Sequence, residues 1–168
     1  METVNILLST YNGEKYLAEQ IDSIVNQTYS DWNLLIRDDG STDNTVSIIK
    51  NYEEKDARIK FINSFQIENV GVHLSFKNLA KFSDADWYFL CDQDDVWLPK
   101  KIESMLFYAR GDEKEAKLLY SDLTTVDSEL NILSERIRIR RGIVKHHSSK
   151  TTYFNQRLLG AERCLIKN

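Results

Sequence analysis

The chain has 168 residues, 42% of them hydrophobic, enough to bury one core of ordinary domain size. No apolar run approaches the ~20 residues of a membrane-spanning helix, and METVNILLST lacks the basic start and long apolar core of a secretion signal, so a cytoplasmic protein is expected. The net charge of −4 divides unevenly: residues 1–135 hold 13 Lys/Arg against 25 Asp/Glu (−12), and residues 136–168 hold 9 against Glu162 alone (+8), an acidic body that argues against a nucleic-acid binder.

VNILLS (4–9) is a short continuous apolar run, the pattern of a buried strand. Leu17, Ile21, Ile24 and Val25 then share one face of a helix predicted between Glu14 and Gln27, with Glu14 complementing the helix dipole. WNLLIR (32–37) predicts a second strand, and Val46, Ile48, Ile49 and Tyr52 a second helix. RIKFIN (58–63) predicts a third strand, Val72, Phe76, Leu79 and Ala80 a third helix, and WYFLC (87–91) a fourth strand. Pro99 suits the first turn of a fourth helix carrying Ile102, Leu106 and Ala109, and KLLYSDL (117–123) predicts a fifth strand. Beyond Ser128 the pattern loosens. ILSERIRIRR could alternate as a strand, GIVKHHSSKTTY reads as a polar loop holding His146 and His147, and RLLGAERCLIKN as a short helix or strand. Cys91 and Cys164 lack metal-ligand spacing and read as buried free thiols.

Strand and helix thus alternate four times, which predicts a single α/β domain with a mostly parallel, Rossmann-like sheet. Right-handed crossovers put helices on both faces. Ligands in such sheets bind beyond the carboxyl ends of the strands, and three strand ends carry polar groups there. The first ends in STYNG (9–13), the second in RDDGSTDNT (37–45) and the fourth in CDQDD (91–95).

Ser41 to Asn44 offer caps for the second helix, and Gly40 permits the tight turn before them. Capping does not account for the consecutive carboxylates Asp38 and Asp39, one of which is expected to accept hydrogen bonds from a nucleobase or ribose. Tyr11 reads as a surface aromatic or, beside that acidic loop, as a stacking platform for a flat ring. In CDQDD, three carboxylates within four positions repel one another and raise one another's pKa. Asp92 and Asp94 would point to the same side of an extended segment, where two hard oxygens suit Mg²⁺ or Mn²⁺ shared with substrate phosphate and water. Asp95 serves equally as a further ligand or as the lead-in to the next helix. A receiver-like phospho-acceptor domain would carry its acids after the first and third strands, and this chain carries them after the second and fourth.

Together, VNILLSTYNGEKYLAEQIDSIVNQTYSDWNLLIRDDGSTDNT, DARIKFI, ENVGVHLSFKNL and YFLCDQDDVWLPKKIE resemble the family 2 glycosyltransferases, which have the GT-A fold, over residues 3–135. The form CDQDDVWLPKKI looks most like the rhamnosyltransferase-type members that build bacterial surface polysaccharides. The resemblance implies a nucleotide-diphosphate sugar donor such as dTDP-rhamnose, a saccharide or lipid-linked acceptor, a divalent cation and inversion at the anomeric carbon. It implies that Thr10 and Tyr11 hold the nucleobase, that the Asp38–Asp39 pair reads it with Asp39 on an imide N–H, and that Asn69 to Gly71 lie near the nucleotide sugar. Asp94 would be the direct metal ligand, with Asp92 nearer the ribose and the metal's waters.

The family's catalytic base, an Asp or Glu well downstream, has no recognisable counterpart here: Glu162 sits in a stretch matching the strand before it. Residues 1–135 therefore read as the donor half, and 136–168 as the start of a truncated acceptor half. On this reading the chain binds donor and transfers sugar at a negligible rate, and a catalytically incomplete nucleotide-sugar-binding module is the alternative. RIRIRR (136–141) is a solvated face or a peripheral contact with anionic lipid at the inner side of the membrane.

Overall fold

The computed structural model describes residues 2–109, 118–119, 123–127, 129–134, 157–159 and 164–167. In chain order they form β1 (Val4–Thr10), α1 (Leu17–Val25), β2 (Trp32–Asp38), α2 (Thr45–Lys55), β3 (Ile59–Phe61), α3 (Val72–Phe82) and β4 (Trp87–Cys91). There follow β5 (Asp95–Trp97), α4 (Lys101–Ala109), β6 (Leu118–Leu119), β7 (Leu123–Val126), β8 (Ile132–Ser134), β9 (Arg157–Leu159) and β10 (Cys164–Lys167). One sheet runs β3-β2-β1-β4-β9-β6 with every described pair parallel, and a second runs β5-β10-β7-β8.

β1 is central because it is apolar on both faces. Ile6 and Leu8 join Ile36 and Phe89 against Leu17, Ile21 and Ile24 of α1 and Ile102, Met105 and Leu106 of α4. Leu7 points the other way and joins Leu35 and Tyr88 against Leu79 and Ala80 of α3. Helices therefore cover both faces, as a buried parallel sheet requires. β1 pairs with β2 from Val4↔Trp32 to Thr10↔Asp38 and with β4 from Val4↔Trp87 to Leu8↔Cys91. The ends of three strands thereby reach one edge.

Four expectations change. Glu14 lies in a turn ahead of α1, because the Gly13 carbonyl accepts N–H bonds from both Tyr16 and Leu17 and delays the helix. Its carboxylate serves α2 instead, accepting from the Asn44 backbone N–H at 2.9 Å and side-chain amide at 2.8 Å. KLLYSDL divides between β6, in the first sheet, and β7, in the second. RLLGAERCLIKN likewise contains both β9 and β10. Asp95 to Trp97 is a strand, not a helix lead-in, held by antiparallel pairing with β10. Cys91 is a buried free thiol as expected; RIRIRR, His146, His147 and Glu162 lie outside the described residues. No helix among the described residues is long and apolar enough to cross a membrane.

Ile6 is fully buried at the centre of the larger core. Ile6→Ala is expected to cost about 2–5 kcal/mol, read as a lower midpoint in urea unfolding with an unchanged slope.

Candidate functional site at the carboxyl edge of the sheet

The DDG loop leaves β2 with its two carboxylates turned to different tasks. Asp38 is fully buried. One oxygen accepts from the hydroxyls of Thr10 and Ser41, the other from the backbone N–H groups of Gly40 and Ser41. Those bonds use all the acceptor capacity of a carboxylate. Asn63 fixes the same residue's backbone, accepting from its N–H at 3.0 Å and donating to its carbonyl at 2.8 Å. Asp38 is thus the clamp of the turn, and the buried Thr10 hydroxyl is part of that clamp.

Asp39 is 5% exposed. Its Oδ1 accepts from Arg37 Nη1 at 2.6 Å and from the Val70 N–H at 2.8 Å, and its Oδ2 from the Gly71 N–H at 2.9 Å. One acceptor position on Oδ2 is left over among the described residues. Burial pushes the Asp39 carboxyl up, but the bonds from Val70, Arg37 and Gly71 outweigh it and hold the group below its usual value of 3.8. Gly71 takes φ 81°, ψ 154° at the start of α3, backbone reserved for glycine. Asn69 crosses close beside Gly40, where a Cβ would lie 3.3 Å from the Asn69 nitrogen. The Asn69–Gly71 segment is therefore brought to the DDG loop by Asp39 itself.

Arg37 was missed in the sequence reading. It is 3% exposed and also donates to the Glu68 carbonyl and the Ser75 hydroxyl. Its signal was available: an Arg at the end of a buried apolar strand, directly before two acids, needs a carboxylate partner.

Tyr11 stands at the end of β1 with half of its surface exposed. The next residue, Asn12, has φ 49° and is tied to the DDG loop, donating from its N–H to Ser41 Oγ and accepting from the Thr42 N–H, each at 2.8 Å.

Residues 5–162 match the family described as Glycosyl transferase family 2. The chain belongs to this family. An uncharacterized glycosyltransferase of Methanocaldococcus jannaschii is 34% identical over 134 residues, covering 79% of this chain and 45% of the relative. The Escherichia coli enzyme named UDP-Glc:alpha-D-GlcNAc-diphosphoundecaprenol beta-1,3-glucosyltransferase is 33% identical over 104 residues, 61% of this chain and 39% of its own. The solved structure of a Pyrobaculum calidifontis mannosyltransferase in complex with GDP-Man and Mn²⁺ superposes with a TM-score of 0.58 at 17% identity, covering 74% of this chain and 35% of that one. The chain spans less than half the length of these relatives. Its fold is the GT-A fold of the glycosyltransferases.

The third segment at this edge of the glycosyltransferase sheet is Asp92 to Asp94, between β4 and β5. It turns rather than extends, so the same-side argument for a straight strand does not apply. The two carboxylates are nonetheless neighbours electrically. Asp92 lies on the exposed surface, yet crowding by surrounding protein and the charge of Asp94 push its carboxyl above the usual 3.8, with Lys101 pulling the other way. The Lys101 ammonium sits 4.2 Å from the centre of the Trp97 ring at the start of α4. Neither carboxylate accepts a hydrogen bond from the described residues, which leaves their hard oxygens without a protein donor, as Mg²⁺ or Mn²⁺ would use them. Among the described residues no three acidic, His or Cys side chains gather into a closed metal cluster. A cation held by this pair alone would complete its coordination with water or other outside oxygens.

Asp39→Ala strands the buried Arg37 guanidinium and is expected to cost about 3–5 kcal/mol in urea unfolding. Because the native carboxyl sits below its unfolded value, its stabilisation is present above pH 3.8 and is lost as pH falls toward the native value. The variant's deficit should therefore shrink in acid.

Proposed function

We propose that this edge of the sheet holds a nucleotide-diphosphate sugar with Mg²⁺ or Mn²⁺, and that the protein transfers the sugar with inversion to a saccharide or lipid-linked acceptor. The observation that carries the reading is the contrast among four carboxylates on one edge. Asp38 is saturated, Asp39 keeps one acceptor position, and Asp92 and Asp94 receive no hydrogen bond from the described residues. Acceptors left open beside an exposed aromatic ring suit a ligand with a flat, N–H-bearing base at one end and a charged diphosphate at the other.

In this reading Tyr11 stacks on the nucleobase and the open position of Asp39 accepts an imide N–H. Thr10 and Asp38 support that loop from beneath, Asn69 and Gly71 flank the nucleotide sugar, Asp92 lies toward the ribose, and Asp94 ligates the cation with Asp92 beside it. When bound, the cation supplies positive charge where the departing diphosphate becomes more negative. The form CDQDDVWLPKKI puts dTDP-rhamnose first among donors, and thymine carries the imide that Asp39 would read. The named E. coli relative acts on a lipid-linked saccharide, which supports an acceptor of that class met at the inner face of the membrane. Residues 1–135 are the donor half and 136–168 the start of the acceptor half. The general base is unassigned.

Calorimetry with thymidine or uridine diphosphate tests the donor site. Affinity should be much higher with Mn²⁺ than with EDTA, and Asp94→Ala should erase the difference without loss of stability, since it relieves repulsion on Asp92. Equal affinity with and without cation would rule the assignment out. Protons compete for the raised Asp92 carboxyl, so the Mn²⁺ advantage should begin to fade on acidification at a pH above that of an ordinary aspartate.

Asp39→Asn exchanges half of an acceptor-only group for a donor that faces other donors. It is expected to weaken nucleotide binding by about 1–3 kcal/mol and to lower stability as well, because the same carboxylate holds Val70 and Gly71. An unchanged dissociation constant in the folded variant would move base recognition elsewhere.

A further inference from the structure

Gln93 lies between Asp92 and Asp94 in the chain, yet its side chain turns back across the sheet edge to Tyr11, 82 residues earlier. Its Oε1 accepts the Tyr11 N–H at 2.8 Å, and its Nε2 donates to the Tyr11 carbonyl at 3.1 Å. Both backbone groups of one residue are thus held by both ends of one amide. Gly13 makes room for this: a Cβ there would lie 2.5 Å from Gln93 Oε1 and 2.9 Å from its Cδ. Gly13 cannot move aside. Its N–H is held by Thr45 Oγ1 at 2.8 Å, and its carbonyl accepts from Tyr16 and Leu17. On the far side, Asn12 is tied to Ser41 and Thr42. The exposed ring of Tyr11 therefore stands on a backbone fixed from one side by the DDG loop and from the other by the Asp92–Asp94 turn.

We propose that Gln93 is a positioning residue, whose amide sets the Tyr11 platform at a fixed place relative to the Asp92–Asp94 pair, so that nucleobase and diphosphate are met together. The proposal rests on the donor reading above. An alanine at this position would keep the carboxylates and lose the clamp. It would free the Tyr11 backbone to reorder, a cost then charged to each binding event.

Two substitutions break the same clamp by different means. Gln93→Ala removes the amide, and Gly13→Ala evicts it while leaving Gln93 chemically intact. Each is expected to weaken uridine monophosphate in EDTA, and uridine diphosphate with Mn²⁺, by about tenfold, the scale of two neutral hydrogen bonds. Mn²⁺ with inorganic pyrophosphate should bind within about twofold of the parent chain, which a general loss of structure would not allow. The double variant should be no worse than either single one, because the clamp can be lost only once. Multiplying losses in the double variant, unchanged uridine monophosphate affinity in Gln93→Ala, or equal losses for all three ligands would each overturn the role of Gln93 alone. A parent chain that binds no uridine diphosphate with Mn²⁺ would overturn the donor reading and this proposal with it.

Discussion

The guanidinium of Arg37 and the carboxylate of Asp39 meet 2.6 Å apart where β2 leaves the sheet, both almost wholly removed from water. Two charges in such a place are stable only if nearly every remaining donor and acceptor is used. That requirement organises the neighbourhood. Arg37 reaches the Glu68 carbonyl and the Ser75 hydroxyl, Ser75 meets Ser9 of β1 at 2.6 Å, and Asp39 gathers the N–H groups of Val70 and Gly71. One ion pair thereby joins β1, β2, the segment before α3 and the first turn of α3. The pair's contribution to net stability can be small, since burying both charges is costly. Its consequence is positional: the segment from residue 68 to 71 has no strand or helix of its own and is placed by this pair.

Much of the frame was legible because parallel strands buried on both faces read as unbroken apolar runs. β1, β2 and β4 and the four helices announce themselves by run length and by spacing around the helix. The second sheet and the β9–β6 side of the first were not legible in the same way. β5, β6, β8 and β9 have two or three residues each, too few for any period to appear, and all but β8 pair with strands far along the chain. KLLYSDL looks like one strand because its residues suit a strand throughout; its division between two sheets is decided by β9 and β10, which arrive about forty residues later.

The same distinction holds within the site. The acids of DDGS and CDQDD stand out as charge in places where a sheet is about to end. What each acid does there depended on groups the local sequence does not show. Asp38 and Asp39 are adjacent, yet one is saturated by Thr10 and its own turn, and the other is engaged by Arg37 and the residue 70–71 backbone with one acceptor position left over among the described residues. Glu14 looked sufficient as a helix-dipole partner, and it instead holds Asn44. Gln93 carried no signal at all, since an amide between two aspartates is unremarkable until its partner at Tyr11 is in view.

These cross-links share a direction. Asn12 to Ser41 and Thr42, Glu14 to Asn44, Asp43 to the Glu14 N–H, and Gln93 to Tyr11 all run between loops that leave different strands. None of them is required to build the sheet, whose register is set by β1, β2 and β4 and by the apolar cores on either side. Their effect is to tie the loop after β1 to the loops after β2 and β4, so that the backbone around Tyr11 is held from both sides. A polar group that satisfies its neighbours cannot also bind, and one left open is useful only if its position is held. The edge of this sheet separates the two kinds of group residue by residue: Asp38, Asn12, Glu14 and Gln93 tie the loops together, while the Asp92 and Asp94 carboxylates have no hydrogen-bond partner among the described residues and the Tyr11 ring is half exposed.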